Sequence, residues 1–293
     1  MIKKIELTKK LIANSSSIFM CPICGSEMMI NKFMSLCCRN RHNFDLSRQG
    51  CINMLLKQVK SDYDKKMFES RNMISKSGFF TPMLNLISNL ILEETLKNKM
   101  VNSNILDAGC GEGSHLSRIL MNLRENRSIN FSGVGIDISK EGIRLASREY
   151  MNIIWCVADL SKIPLKNDQF DIVLNILSPA NYGEFNRVLN NQGLLIKVVP
   201  GNNYLIELRE ILFKGTSKQF YLNNRVVQHF SDNFKIINKQ PILYKVNLNN
   251  ENIEHLIKMT PLVWNAEKEK LEEIIRTGIK NITVAFEVIV GKK

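Results

Sequence analysis

Cys21 and Cys24, thirteen intervening residues, then Cys38 and His42 form a Cys-x2-Cys…Cys-x3-His pattern near the start of this chain. Two tight pairs of soft donors, each on its own turn, can close a tetrahedron around Zn²⁺. This constrains the fold of the surrounding residues more than any other feature. Residues 17–60 carry too little apolar surface to fold alone, so a metal cross-link must supply the missing stability. A small zinc-stabilised module of short strands is expected there, after a short mobile extension over residues 1–16. Four protein ligands leave no open coordination position, so the zinc is read as structural.

The chain has 293 residues, enough for one large and one small domain. Seven cysteines, four of them within residues 21–38, favour metal binding over disulfides in a chain whose start lacks a secretory pattern. Cys110 and Cys156 lie in apolar stretches and read as buried. No run approaches a membrane span, and the expected location is the cytoplasm. Net charge is +12, of which +8 falls in residues 1–76, where 14 basic residues face 6 acidic ones. A localised positive field suits a polyanion such as RNA. A solvated basic face is the competing reading.

Residues 61–98 read as connecting helices, with a break at Ser77-Gly78 and Thr81-Pro82 as N-cap and first helical residue. From residue 99 onward strand and helix alternate. Ile105-Leu106, Val134 to Asp137, Ile153 to Val157, Phe170 to Leu174 and Gly193 to Val198 read as strands, and 114–126 and 140–149 as helices. Such alternation predicts an α/β domain with a doubly wound, mostly parallel sheet. Ile242 to Val246 and Thr283 to Val290 read as late strands, antiparallel at the sheet edge.

Asp107-Ala108-Gly109-Cys110-Gly111-Glu112-Gly113 follows the first of these strands and opens a helix. Glycines let backbone approach a ligand closely, and the helix start offers free N–H groups. Asp137 ends the next strand, where a carboxylate accepts both ribose hydroxyls of a nucleoside; Asp159 ends the third, beside an adenine amino group. The turn lacks the Gly-x-Gly-x-x-Gly spacing that cradles a pyrophosphate, and Asp107 can approach a cationic methionine end. These features point to S-adenosylmethionine rather than a dinucleotide. His115 reads as a surface or partly packed residue with a possible contact to the turn, and Trp264 as core.

The zinc pattern, followed by Arg41-His42-Asn43-Phe44-Asp45 and Gly50 to Leu55, resembles the bacterial 23S ribosomal RNA (guanine-N1)-methyltransferases. The resemblance recurs at Asp107 to Gly113, Gly135 to Lys140, Pro200-Gly201 with Leu205 and Glu207-Leu208, and Met259 to Leu262 with Trp264, and so covers nearly the whole chain. It implies a seven-stranded methyltransferase sheet, with residues 99–293 as the catalytic domain and 17–60 as an RNA-recognition module. It implies zinc on Cys21, Cys24, Cys38 and His42, with Cys37 and Cys51 as rival ligands. It implies S-adenosylmethionine contacts at Phe80, Gly111, Glu112 and Tyr204, beside Asp107 and Gly109 of the turn and Asp137 and Asp159 at the strand ends. Phe80 stands where the family usually has Tyr, and Tyr204 where it has His. Members modify a guanine in a 23S rRNA hairpin loop, one branch confers resistance to tylosin-type macrolides, and members can pair as dimers.

Guanine N1 carries a proton, so some group must take it or stabilise the anion. Asn175 and Ser178, after the fourth strand, are candidates to hold the flipped guanine; Asn175 could equally only tie its loop. Arg39, Arg41, Arg48, Lys57 and Lys60 are candidates to grip phosphates. A small-molecule methyltransferase and a non-catalytic zinc-dependent RNA-binding protein are the alternatives.

Overall fold

The computed structural model describes residues 4–15, 18–57, 64–216, 219, 221–264 and 266–293. The chain starts not with a mobile extension but with helix α1 (Lys4–Asn14), whose Ile12 is fully buried. The expected extension is therefore a docked element: its apolar positions find a core in the rest of the chain.

Three short antiparallel strands, β1 (Met28–Ile30), β2 (Ser35–Cys38) and β3 (Asn43–Asp45), make the small sheet of the metal module. The next strand, β4 (Cys51–Asn53), leaves that sheet and joins the large one. Helices α2 (Lys65–Lys76) and α3 (Thr81–Lys97) follow. The Asp64 carboxylate caps α2 by accepting from Met67 N–H. Helix α3 begins one residue earlier than its Thr-Pro signal suggests: Phe80 is the N-cap, held by its buried ring rather than by a side-chain hydrogen bond.

The remainder alternates as expected: β5 (Asn102–Ala108), α4 (Ser114–Leu123), β6 (Asn130–Asp137), α5 (Lys140–Glu149), β7 (Ile154–Val157), β8 (Phe170–Ile176), α6 (Tyr182–Val188), β9 (Leu189–Pro200), α7 (Ile206–Leu212), α8 (Asn224–Ser231), β10 (Lys235–Asn247), α9 (Asn250–Met259), α10 (Lys268–Thr277) and β11 (Asn281–Lys292). The large sheet runs β10-β11-β9-β8-β5-β6-β7-β4, antiparallel only at β9/β11 and β10/β11. It has eight strands rather than seven because β4 pairs in parallel with β7, Cys51 opposite Trp155 and Asn53 opposite Val157. The metal module is thus spliced into the edge of the catalytic sheet.

Alternate side chains enter opposite layers. Ile105 packs with α3 and α4 on one face; Leu106 and Ala108 pack with α1, α6, α8 and the metal module on the other. Cys110 and Cys156 are buried. Trp264 departs from its expected core position and is 42% exposed, because it ends a 3-10 turn (Pro261–Val263) whose Val263 fills the interior instead.

Candidate functional site and metal centre

Two turns build the metal centre. In the first, Gly25 N–H closes on Cys21 C=O; in the second, Arg41 N–H closes on Cys38 C=O. Both turns need positive φ, which Gly25 supplies freely and Arg41 adopts at 65°. They bring Cys21 Sγ and Cys38 Sγ each to 3.5 Å from His42 Nδ1, and Cys24 Sγ to 3.7 Å from Cys38 Sγ. Zn–S and Zn–N bonds of about 2.3 and 2.0 Å put tetrahedral donors roughly 3.5–3.8 Å apart; these three pairs match, and all four donor atoms lie within 4.8 Å of one another, so the set fits zinc. The rivals fall away. Strand alternation turns Cys37 outward to Asn43 Oδ1, at 2.9 Å, and Cys51 lies in β4 beside Ser47 Oγ, at 3.0 Å.

Arg39, Arg41, Arg48 and Lys57 are all exposed, and none has a salt-bridge partner among the described residues. Lys60 lies outside the described residues.

The glycine turn links β5 to α4. Gly113 sits at φ 81°, and a Cβ there would come within 2.5 Å of the Trp155 ring and 2.8 Å of Ala146 Cβ. Gly113→Ala is therefore expected to cost about 2–4 kcal/mol, summing left-handed strain and overpacking. Thermal unfolding should show a melting point lowered by several degrees, partly restored by adding Trp155→Phe.

Asp137 Oδ2 accepts from Gly111 N–H and Oδ1 from Ser139 N–H, both at 2.8 Å. This fixes the carboxylate at the mouth of a cavity of about 250 Å³ lined by Gly109, Gly111, Asp137 and Asp159. The structure thus brings together four of the residues expected at the cofactor. Asp159 Oδ1 accepts from Ser161 N–H at 2.7 Å.

Glu112 does not line that cavity. Buried, it accepts from Ser114 N–H and Oγ–H and lies 3.9 Å from Arg71. The structure does not bring Glu112 to the cavity as expected; it faces Arg71, which lines this cavity and a second of about 310 Å³. Arg71 on α2 is a site residue that sequence reasoning passed over. Phe80 and Tyr204 line the second cavity, with Phe286 packed against both rings. His115 is buried rather than superficial, edge-on to Phe80 at 4.7 Å, and burial holds its pKa well below the usual value.

Asp107 is 1% exposed, and neither carboxylate oxygen has a hydrogen-bond partner. Burial pushes its pKa up to about 7, against the pull of Arg71. This orphaned carboxylate beneath the glycine turn lines neither cavity, so it would act on a cationic ligand, such as the methionine end of S-adenosylmethionine, only across the intervening backbone.

Leu177, Ser178 and Pro179 separate the two cavities and line both. The loop lies on the glycine turn: a Cβ on Gly109 would be 1.9 Å from Ser178 Oγ. Asn175 is fully buried; its Nδ2 donates to Ala108 C=O at 2.8 Å and Pro179 C=O at 3.0 Å. It ties the loop, and no part of it reaches either cavity lining.

Comparison with known proteins agrees with this geometry. A family profile described as a methyltransferase domain matches residues 99–276, and one described as the N-terminal zinc ribbon of RlmA matches residues 19–62. A Bacillus subtilis protein provisionally named a 23S rRNA (guanine-N1)-methyltransferase is 41% identical over 94% of this chain and 98% of its own length. A 23S rRNA (guanine(748)-N1)-methyltransferase of Streptomyces fradiae is 25% identical over 90% of this chain and 93% of its own. Fold and site define the class, an S-adenosylmethionine-dependent methyltransferase carrying a zinc ribbon. Within that class, the chain belongs to the 23S rRNA (guanine-N1)-methyltransferase family.

Proposed function

We propose that this enzyme transfers the methyl group of S-adenosylmethionine to N1 of a guanine in a hairpin loop of 23S rRNA, in the cytoplasm. The observation that carries this reading is the splice of the zinc ribbon into the catalytic sheet. Strand β4 runs beside β7, Met54 N–H bonds Val157 C=O at 2.8 Å, and the chain after β7 leads directly to Asp159. The basic module is thereby fixed to the edge strand beside the one that leads to Asp159, which supports a role in presenting RNA to the cofactor cavity. No helix among the described residues is long and apolar enough to cross a membrane.

Asp137 and Asp159 would hold the adenosine, with Asp107 acting on the methionine end across the backbone. Bound there, S-adenosylmethionine supplies a methyl group activated by its sulfonium. The protein aligns the acceptor nitrogen and keeps competing nucleophiles away. Leu177 to Pro179 form the wall against which an unstacked base would lie.

Incubation with tritiated S-adenosylmethionine and unmodified 23S RNA should label the RNA; label only in small metabolites would favour the small-molecule alternative. Replacing Arg39, Arg41 and Arg48 together by Ala is expected to weaken RNA binding across sequences and reduce the salt slope, log Kd against log[salt], by about 2–3. Filter binding between low and moderate salt reads this slope, and an unchanged slope would remove these residues from the interface.

A further inference from the structure

Lys197, in the middle of the apolar strand β9, is 4% exposed and lines the larger cavity together with Phe80, Ser178 and Tyr204. Its ammonium donates to Asn175 Oδ1 and, at 2.8 Å, to Ser178 C=O. Asn175 cannot turn away, since both hydrogens of its amide are taken by carbonyls. No carboxylate forms a salt bridge with Lys197 among the described residues. A buried cation neutralised by nothing is costly unless the site is built to receive negative charge. Two ammonium hydrogens are held by the protein, and one remains for the cavity.

Building on the guanine-N1 reading above, we propose that Lys197 is a catalytic residue: it donates to the acceptor guanine and stabilises the anion formed when N1 loses its proton. The N1 proton passes to water, leaving charge shared between N1 and O6 beside the ammonium. The N1 electron pair then forms the bond to the methyl carbon as the donor's carbon–sulfur bond breaks, its electrons staying on sulfur. The products are a neutral N1-methylguanine and a neutral thioether. Asn175 and the Ser178 carbonyl are the positioning groups, and both assist through Lys197.

Burial lowers the Lys197 pKa to about 8. The titratable groups sharing its cavity are Arg71 from α2, Tyr204 before α7 and Tyr221 before α8. Burial raises both tyrosines above their usual values, so they stay neutral near pH 8. The charge on Lys197 is therefore present below about pH 8 and lost above it.

The test is single-turnover methylation of unmodified 23S RNA by the zinc-loaded enzyme across pH, with wild type, Lys197→Met and Lys197→Arg. Lys197→Met is expected to lose about 10²–10³-fold in rate at neutral pH with cofactor affinity retained. Its rising limb should move about 2 units higher, the pH equivalent of a 10²-fold loss. Lys197→Arg, which keeps the charge, should retain most of the rate. The role of Lys197 is overturned if Lys197→Met keeps the wild-type rate or the wild-type limb. Failure of the wild type to label RNA at all would instead overturn the RNA assignment.

Discussion

Removing the zinc, by Cys38→Ser or by a chelator under reducing conditions, is expected to weaken RNA binding by about 100-fold or more, because the metal closes the two turns, the second of which presents Arg39 and Arg41. Cofactor affinity should fall with it, by about 3–10-fold, the scale of one net hydrogen bond. The second effect follows from the splice. Besides β4, Met20 N–H bonds Pro164 C=O at 3.0 Å and Lys162 Nζ bonds Pro22 C=O at 2.9 Å. These contacts tie the first metal turn to the segment that presents Asp159. Loss of zinc therefore releases one wall of the cofactor cavity, and a module that acted on RNA alone would not do this. Titrations of RNA and of S-adenosylmethionine against zinc-loaded and zinc-free protein separate the two effects. Unchanged RNA affinity would contradict the role given to the module.

Asp107→Asn is expected to reduce S-adenosylmethionine affinity by about tenfold, through loss of a buried negative charge acting at a distance on the cationic donor. The same change should not destabilise the cofactor-free protein at pH 8. The folded-state pKa of Asp107, about 7, is raised above the usual 3.8. The folded protein thus binds this proton more tightly than the unfolded chain, and stability declines as pH rises from about 4 to 7. The amide escapes that decline. Melting curves of the two proteins should nearly coincide below about pH 4, and the variant should gain on the wild type from there toward pH 7. For the wild type, cofactor binding should take up no proton and weaken by up to about tenfold per unit as pH drops below 7. A variant that melts lower at pH 8 and binds the cofactor normally would make Asp107 a structural residue.

Much of this was legible in the chain because it is written locally. The metal ligands lie within 22 residues and their spacing sets the geometry. The glycine turn, Asp137 and Asp159 sit at strand ends, where the alternation of strand and helix places them. Long-range packing was not legible. Cys51-Ile52-Asn53 carries no sign that it will pair with a strand a hundred residues later. The strand expected over Gly193 to Val198 begins earlier, at Leu189, through the polar Asn-Asn-Gln where the ladder with β8 is irregular. Helix α1 needed a surface that only the folded chain provides. Lys197 did have a signal, a lone cation in Gly-Leu-Leu-Ile-Lys-Val-Val-Pro, but its meaning depends on Asn175 and Ser178 from another strand. Arg71 had none, being one of several basic residues on a helix whose partner, Glu112, lies 41 positions away.

The central claim is that a zinc ribbon presents one guanine to one methyl donor. Primer extension across 23S RNA tests it most directly, since a methyl on N1 blocks Watson–Crick pairing and halts reverse transcriptase. The account predicts a new stop next to a single guanine in a hairpin loop, present only when zinc-loaded enzyme and S-adenosylmethionine are both supplied. Full-length extension under those conditions, or stops scattered over many guanines, would contradict it.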